Sequence, residues 1–206
     1  MNNNQISPFE YVSILMSIIL GLGITQILSS FSDLLYHYKK VKFYWVHTVW
    51  IVFVLFLHIQ DWFITYQLKS KMVWDLPELL FILLYPITLY IAAKMLIPSN
   101  NDEKIFDMKS YYLSHFPIIF FLIGFTILLS ILFNMIFLGM VIFQQIPLIV
   151  FFTVIIFLSI QKTENELIHK ILAIALLASV TYSLILEENF WVIKWKSVKC
   201  QIAHIW

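Results

Sequence analysis

Long apolar blocks, broken by short polar stretches, set the rhythm of this chain. A membrane crossing needs about 20 predominantly apolar residues, each rising about 1.5 Å along a helix. Six blocks meet that need: Phe9–Phe31, Phe43–Leu68, Leu76–Ile97, Tyr111–Phe133, Leu138–Ile160 and Glu166–Leu186. Three of the starts carry an acceptor side chain followed three residues later by glutamate, the mark of a capped helix N-terminus. They are Ser7–Glu10, Asp75–Glu78 and Thr163–Glu166, and Pro8 suits the first turn of the first helix. Pro98 and the polar run behind it close the third block. The pattern predicts an all-α fold, a polytopic transmembrane helical bundle of about six spans forming a single domain over residues 1–189.

Between the fourth and fifth blocks the punctuation weakens, because no residue from Phe116 to Ile160 is charged. A turn is expected near Asn134–Gly139, with Pro147 kinking the fifth span. At the N-terminus there is no basic segment, and the first apolar run is too long for a secretory signal, so a retained span is expected. In residues 190–206, Trp191, Trp195, Val198, Ile202 and Ile205 recur at helical spacing, with Lys196 and Lys199 largely off that stripe. This suits an interfacial amphipathic helix, and an anchoring aromatic tail fits it equally.

Composition narrows the partners. Of 206 residues, 61% are hydrophobic and 12% charged, against about 25% charged in ordinary soluble domains. The lipid bilayer is therefore the first partner. No arginine is present and no basic patch exists, so nucleic-acid binding is not expected. The single cysteine, Cys200, excludes an intrachain disulfide or a paired-cysteine metal site. Phosphate loops, nucleophile elbows and paired-histidine zinc motifs are all missing. An even span count puts both termini on one side. Eight lysines (39, 40, 42, 94, 104, 109, 162 and 170) fall on the opposite side, against five on the terminus side. Lysine excess marks the cytoplasmic face, so both termini are expected outside.

Two patterns carry candidate chemistry. In the first span Ser13, Ser17, Gly21, Thr25 and Ser29 recur every fourth residue and line one side of a helix. Small residues at that spacing allow close backbone approach in lipid, so this stripe is expected to pack against another helix, within the chain or in a second protomer or membrane subunit. Gln26 beside it could add a hydrogen bond.

In the second span His47, Trp50, Val54, His58, Asp61 and Thr65 share one helical face. His58 and Asp61 fall about 4 and 8 Å past the middle of the block, inside the hydrocarbon depth. A charged side chain at the centre costs at least about 2.5–3.5 kcal/mol, so such groups face the bundle interior or a cavity. Their spacing of three lets imidazole and carboxylate meet. Three readings stand: a satisfied polar cluster that joins helices, with Tyr85 or Thr88 as partners; a proton, ion or ligand pathway through His47, His58, Asp61 and Thr65; and a haem or metal site. No cofactor or metal is predicted, since each histidine would need a second ligand and His115 and His169 sit near span ends. Pro86, near the centre of the third span, is a candidate hinge.

The stretches SPFEYVSILMSIILGLGITQIL, FYWVHTVW, HIQDWF and LLYPITLYIAAKMLIP, over roughly the first half, resemble a family of uncharacterised bacterial six-span integral membrane proteins. The resemblance implies a bacterial inner membrane and brings no activity with it. A channel- or transport-like protein using the polar face of the second span is the leading expectation. A sensor, anchor or accessory subunit acting through helix packing follows, then an intramembrane haem carrier or enzyme.

Overall fold

The computed structural model describes residues 7–97 and 105–186. Helix α1 (Pro8–Tyr36) begins at a capping box: Ser7 Oγ accepts the Glu10 N–H at 3.2 Å, and Glu10 Oε2 accepts the Ser7 N–H at 2.7 Å. Helices α2 (Trp45–Thr65) and α3 (Leu76–Leu96) follow, and a 3-10 turn, Tyr66–Ser70, extends α2. Asp75 caps α3 by accepting the Glu78 N–H at 2.8 Å. Helices α4 (Met108–Phe137), α5 (Ile146–Gln161) and α6 (Glu166–Leu186) complete the bundle. All six are long and apolar enough to cross a membrane when their flanking 3-10 turns are counted. The protein is an integral membrane helical bundle.

The third expected cap differs. Asn165, not Thr163, caps α6, its Oδ1 accepting the Leu167 N–H at 3.0 Å. Thr163 instead offers its carbonyl to His169. Asp107, which the spacing did not single out, caps α4 by accepting the N–H groups of Lys109 and Ser110. The turn between α4 and α5 falls at 138–141, where Gly139 takes a φ of 65°. That backbone region suits glycine, which has no Cβ to clash. Pro147 does not kink α5 but sits in its first turn, where a missing N–H costs nothing. The tail 190–206, Cys200 and the polar run after Pro98 lie outside the described residues.

Two short strands, β1 (Val41–Lys42) and β2 (Phe106–Asp107), pair in parallel just before α2 and α4. Because each strand feeds directly into its helix, α2 and α4 start from the same end of the bundle. Helix α2 is central and touches α1, α3, α4 and α6, while α4 packs on α3 and α5. In lipid no hydrophobic drive joins helices, so cohesion rests on close packing and interhelical hydrogen bonds. The core is accordingly dense and aromatic, built on Trp50, Tyr112, Phe116 and Phe120, all fully buried.

Helix α1 meets the bundle through Val12, Met16, Leu20, Gly23, Ile27, Ser30 and Leu34. Their steps of four or three residues track one face of the helix. The serine–glycine–threonine stripe is not that face. Ser17, Thr25 and Ser29 are exposed, and a Cβ on Gly21 would meet nothing within 4 Å. The expected packing of this stripe inside the chain is therefore corrected. A shift of two residues, from 21 to 23, moves a position about 200° around a helix, and Gly23 is the one that lies against α2.

Candidate functional site

The polar face of α2 is buried along its whole length, with His47 and His58 at 0% exposure and Asp61 at 8%. Burial alone does not make these residues one site. From His47 to Asp61 the helix rises about 21 Å, and the space between is filled by Trp50, Ile51, Val54 and Leu57. The polar groups of this face fall in three places, at its start, its middle and its end.

At the start of α2 the polar groups tie helices together. His47 Nε2–H donates to the Leu96 carbonyl at 2.7 Å, satisfying an acceptor at the C-terminal end of α3. The His47 ring also stacks on Tyr111, with centroids 6.0 Å apart. His169 Nε2–H donates to the Thr163 carbonyl at 2.8 Å. That fixes the tautomer, so Nδ1 accepts from the Tyr112 hydroxyl, also at 2.8 Å. Tyr112 and His169 thus join α4 to α6 across the end of α2. His47 Nδ1 and the Tyr44 hydroxyl have no partner among the described residues. Burial, with the Glu166 carboxylate adding to it, holds the Tyr44 hydroxyl above its usual pKa. An ionic rim surrounds this end: Lys42 with Asp107 at 3.7 Å, and Glu166 with Lys109 at 2.6 Å and Lys170 at 2.8 Å.

His58 occupies the middle. Its Nδ1–H donates to the Val54 carbonyl at 2.7 Å, leaving Nε2 a bare, buried acceptor. The ring lies against Gly23 of α1 so closely that a Cβ there would overlap it. Glycine at 23 is what lets α1 accept an imidazole in its interface.

Near the end of α2 the arrangement is different. Asp61 faces a cavity of about 20 Å3, room for a single water. Helices α1 to α4 all contribute to its wall: Met16, then Ile64 and Thr65, then Ile82 and Tyr85, then Ser130. Asp61 Oδ2 is buried without a hydrogen-bond partner among the described residues. The expected contact with His58 is not made, because that imidazole is turned back to Val54 and in toward Gly23. Thr65 does not hold the carboxyl either. Its hydroxyl donates to the Asp61 backbone carbonyl at 2.8 Å and lies 3.8 Å from Met16 Sδ.

The expected residues thus fall in separate places. His47 belongs to the tied end, His58 to the α1 interface, and Asp61 with Thr65 to the cavity. Tyr85 joins the cavity wall, whereas Thr88 turns back on its own helix to the Leu84 carbonyl. Pro86 is buried within α3, which continues through it as one helix. Residues the sequence did not reveal are Gly23, Met16, Ser130 and the Tyr112–His169 pair, since nothing in their local pattern differs from ordinary span residues. Among the described residues no group of three His, Cys, Asp or Glu side chains is placed to hold a metal ion. Compared with known families, characterised proteins and solved structures, the chain matches none.

Proposed function

We propose that this is a small transport-like protein in which Asp61 takes up and releases a proton within the membrane. The observation that carries the reading is the unpartnered Asp61 Oδ2 beside a cavity of about 20 Å3. A carboxyl kept only for structure would be tied to a donor, since leaving an acceptor unmade in a buried site costs about 1–3 kcal/mol. An ionised carboxylate at this depth costs at least about as much again. Such a group is retained where its exchange between charged and neutral forms is used. The cavity suits a proton carried on one water and is far too small for a metabolite. The lysine excess at the Lys42–Lys109–Lys170 end marks that end as cytoplasmic, as in a bacterial inner membrane. Asp61 then lies toward the outer side, where α1 begins and α6 ends.

A second reading rests on the outward stripe of α1. Ser13 and Thr25 hydroxyls are satisfied on their own helix, by the Glu10 and Gly21 carbonyls, and a Cβ on Gly21 between them would meet nothing within 4 Å, so this side of α1 is turned away from the bundle. A second copy or another membrane subunit packed there would make the protein an accessory or anchoring component.

The test is proton entry into liposomes carrying the purified protein and an enclosed pH-sensitive dye. Wild-type vesicles are expected to acidify after an external acid pulse faster than empty ones, and Asp61→Asn vesicles to match the empty ones. Wild-type vesicles no faster than empty ones, or Asp61→Asn vesicles as fast as wild type, would remove the reading.

A further inference from the structure

The end of the bundle nearest Asp61 carries a groove of about 680 Å3 between the start of α1 and the connection into α3. Ser7, Val12, Trp74, Asp75 and Leu79 are among its lining residues. Val12 lines the groove and Met16, one turn further along α1, lines the Asp61 cavity. On α3 the same happens with Leu79 in the groove and Ile82 at the cavity. Val12, Met16 and Ile82 belong to one packed apolar cluster with Leu68, and Leu79 packs against it. The groove and the cavity are therefore separated by a single layer of side chains, about 6 Å deep at the helical rise.

We infer that Asp61 is reached from this groove through the layer formed by Val12, Met16, Leu79 and Ile82, and that Met16 is the residue whose movement opens it. The inference rests on the proposed reading only for what passes, a proton on water; the route itself stands on the two cavities and the cluster between them. Met16 is suited to the part. It is the one unbranched, flexible side chain of the four, and a thioether fills or vacates irregular space with few rotamer constraints. Its sulfur sits 3.8 Å from the Thr65 hydroxyl, which itself rests on the Asp61 carbonyl, so displacing Met16 uncovers the turn that presents the carboxyl. Val12 and Ile82, branched at Cβ, are stiffer at χ1, as suits a fixed collar.

The experiment reads access to Asp61 without requiring flux. A water-soluble carbodiimide adds the carboxyl oxygen to its central carbon and takes the carboxyl proton on nitrogen. Acyl transfer to nitrogen then leaves a stable adduct, with nothing lost from either partner. Liposomes of wild type, Met16→Ala, Met16→Phe and Ile82→Ala are treated with the reagent, and peptide mass spectrometry follows the adduct at Asp61. Adducts at the exposed Glu10 and Asp75 give the reference rate, and Asp61→Asn gives the blank. Labelling of Asp61 is expected to be severalfold faster than wild type in Met16→Ala and slower in Met16→Phe, with the reference rates unchanged. Ile82→Ala is expected to accelerate it less, and replaces Met16→Ala should that variant fail to fold. Equal Asp61 rates in all variants would overturn the route, as would no labelling in any of them. So would a lipid-soluble carbodiimide that labels Asp61 rapidly whatever stands at residue 16, because access would then be from the bilayer. Size-dependent labelling in vesicles that carry no protons would leave the route standing and remove the transport reading alone.

Discussion

Both ends of α2 bury polar side chains and both leave some polar atoms without a partner, but they differ in what the bonded ones reach. At the His47 end, hydrogen bonds run between distant parts of the chain: His47 to Leu96, Tyr112 to His169, and the β1–β2 pairing above them. At the Asp61 end the Thr65 hydroxyl donates to the carbonyl four residues back and meets α1 only through Met16 Sδ at 3.8 Å, and Asp61 Oδ2 is left without a partner. In hydrocarbon a polar side chain that joins two helices adds cohesion where packing alone must otherwise suffice. One left untied adds none, and its ionised form is costly. Polar burial along one helix thus serves assembly at one end and, at the other, leaves Asp61 Oδ2 without a partner, where proton exchange is proposed.

The largest expected effect follows from removing a tie. Tyr112→Phe keeps the packing volume but deprives His169 Nδ1 of its donor inside a fully aromatic surround. A loss of about 1–3 kcal/mol is expected, the usual penalty for stranding a buried polar atom. Asp61→Asn, in the same detergent unfolding assay, should change stability far less, because no hydrogen bond to Oδ2 is cut. Equal losses in the two variants would erase the distinction between the ends.

Six spans and the burial of the α2 face are legible in the sequence because both follow from transfer energetics residue by residue. Block length alone marks a crossing, and a carboxylate such as Asp61 cannot face acyl chains at low cost. Which polar group meets which is not legible. The His58–Asp61 spacing permits contact, yet Val54 offers His58 a nearer acceptor on its own helix, and the decision lies in a rotamer. The α1 stripe misleads for a related reason. Period-four small residues state that close approach is permitted there, not that it occurs, and the bundle uses the opposite side, where a single glycine meets an imidazole. His169 is invisible as a tie because its partner Tyr112 lies 57 residues away.

The two glycines of α1 sharpen the comparison at the middle of α2, where neither end has yet taken over. Gly23→Ala places a methyl group where the His58 ring now lies. The ring is fully buried and held at Nδ1, so relief requires breaking that bond or parting α1 from α2. Overpacking of this kind costs about 1–3 kcal/mol, reduced by alanine's better helix propensity of about 1 kcal/mol. Gly21→Ala meets only open space and keeps the propensity gain, so it should be neutral or slightly stabilising. Thermal unfolding in detergent separates the two. A Gly21→Ala protein less stable than Gly23→Ala would mean that the outward stripe, packed on another copy, outweighs the interface with His58.

The smallest expected effect lies on the rim of the tied end and is read through pH. Asp107 accepts the Ser110 N–H at 3.1 Å and the Lys109 N–H at 3.0 Å, while Lys42 stands 3.7 Å from its other oxygen. These groups, the Ser110 N–H first, hold its carboxyl below the ordinary aspartate value of 3.8. A carboxyl with a lower pKa folded than unfolded stabilises the fold in its ionised form. That contribution is complete above the ordinary value and fades as pH falls through the lower, folded one. Asp107→Asn keeps an acceptor for the α4 cap but loses the attraction to Lys42 and to the helix N-terminus. Melting temperatures taken from neutral pH down through the ordinary aspartate value should show the variant slightly below wild type at first. The gap should close as Asp107 takes up its proton. A gap that stays constant or widens in acid would mean that the rim contributes through geometry alone, and that the tied end owes its cohesion entirely to the buried bonds beneath it.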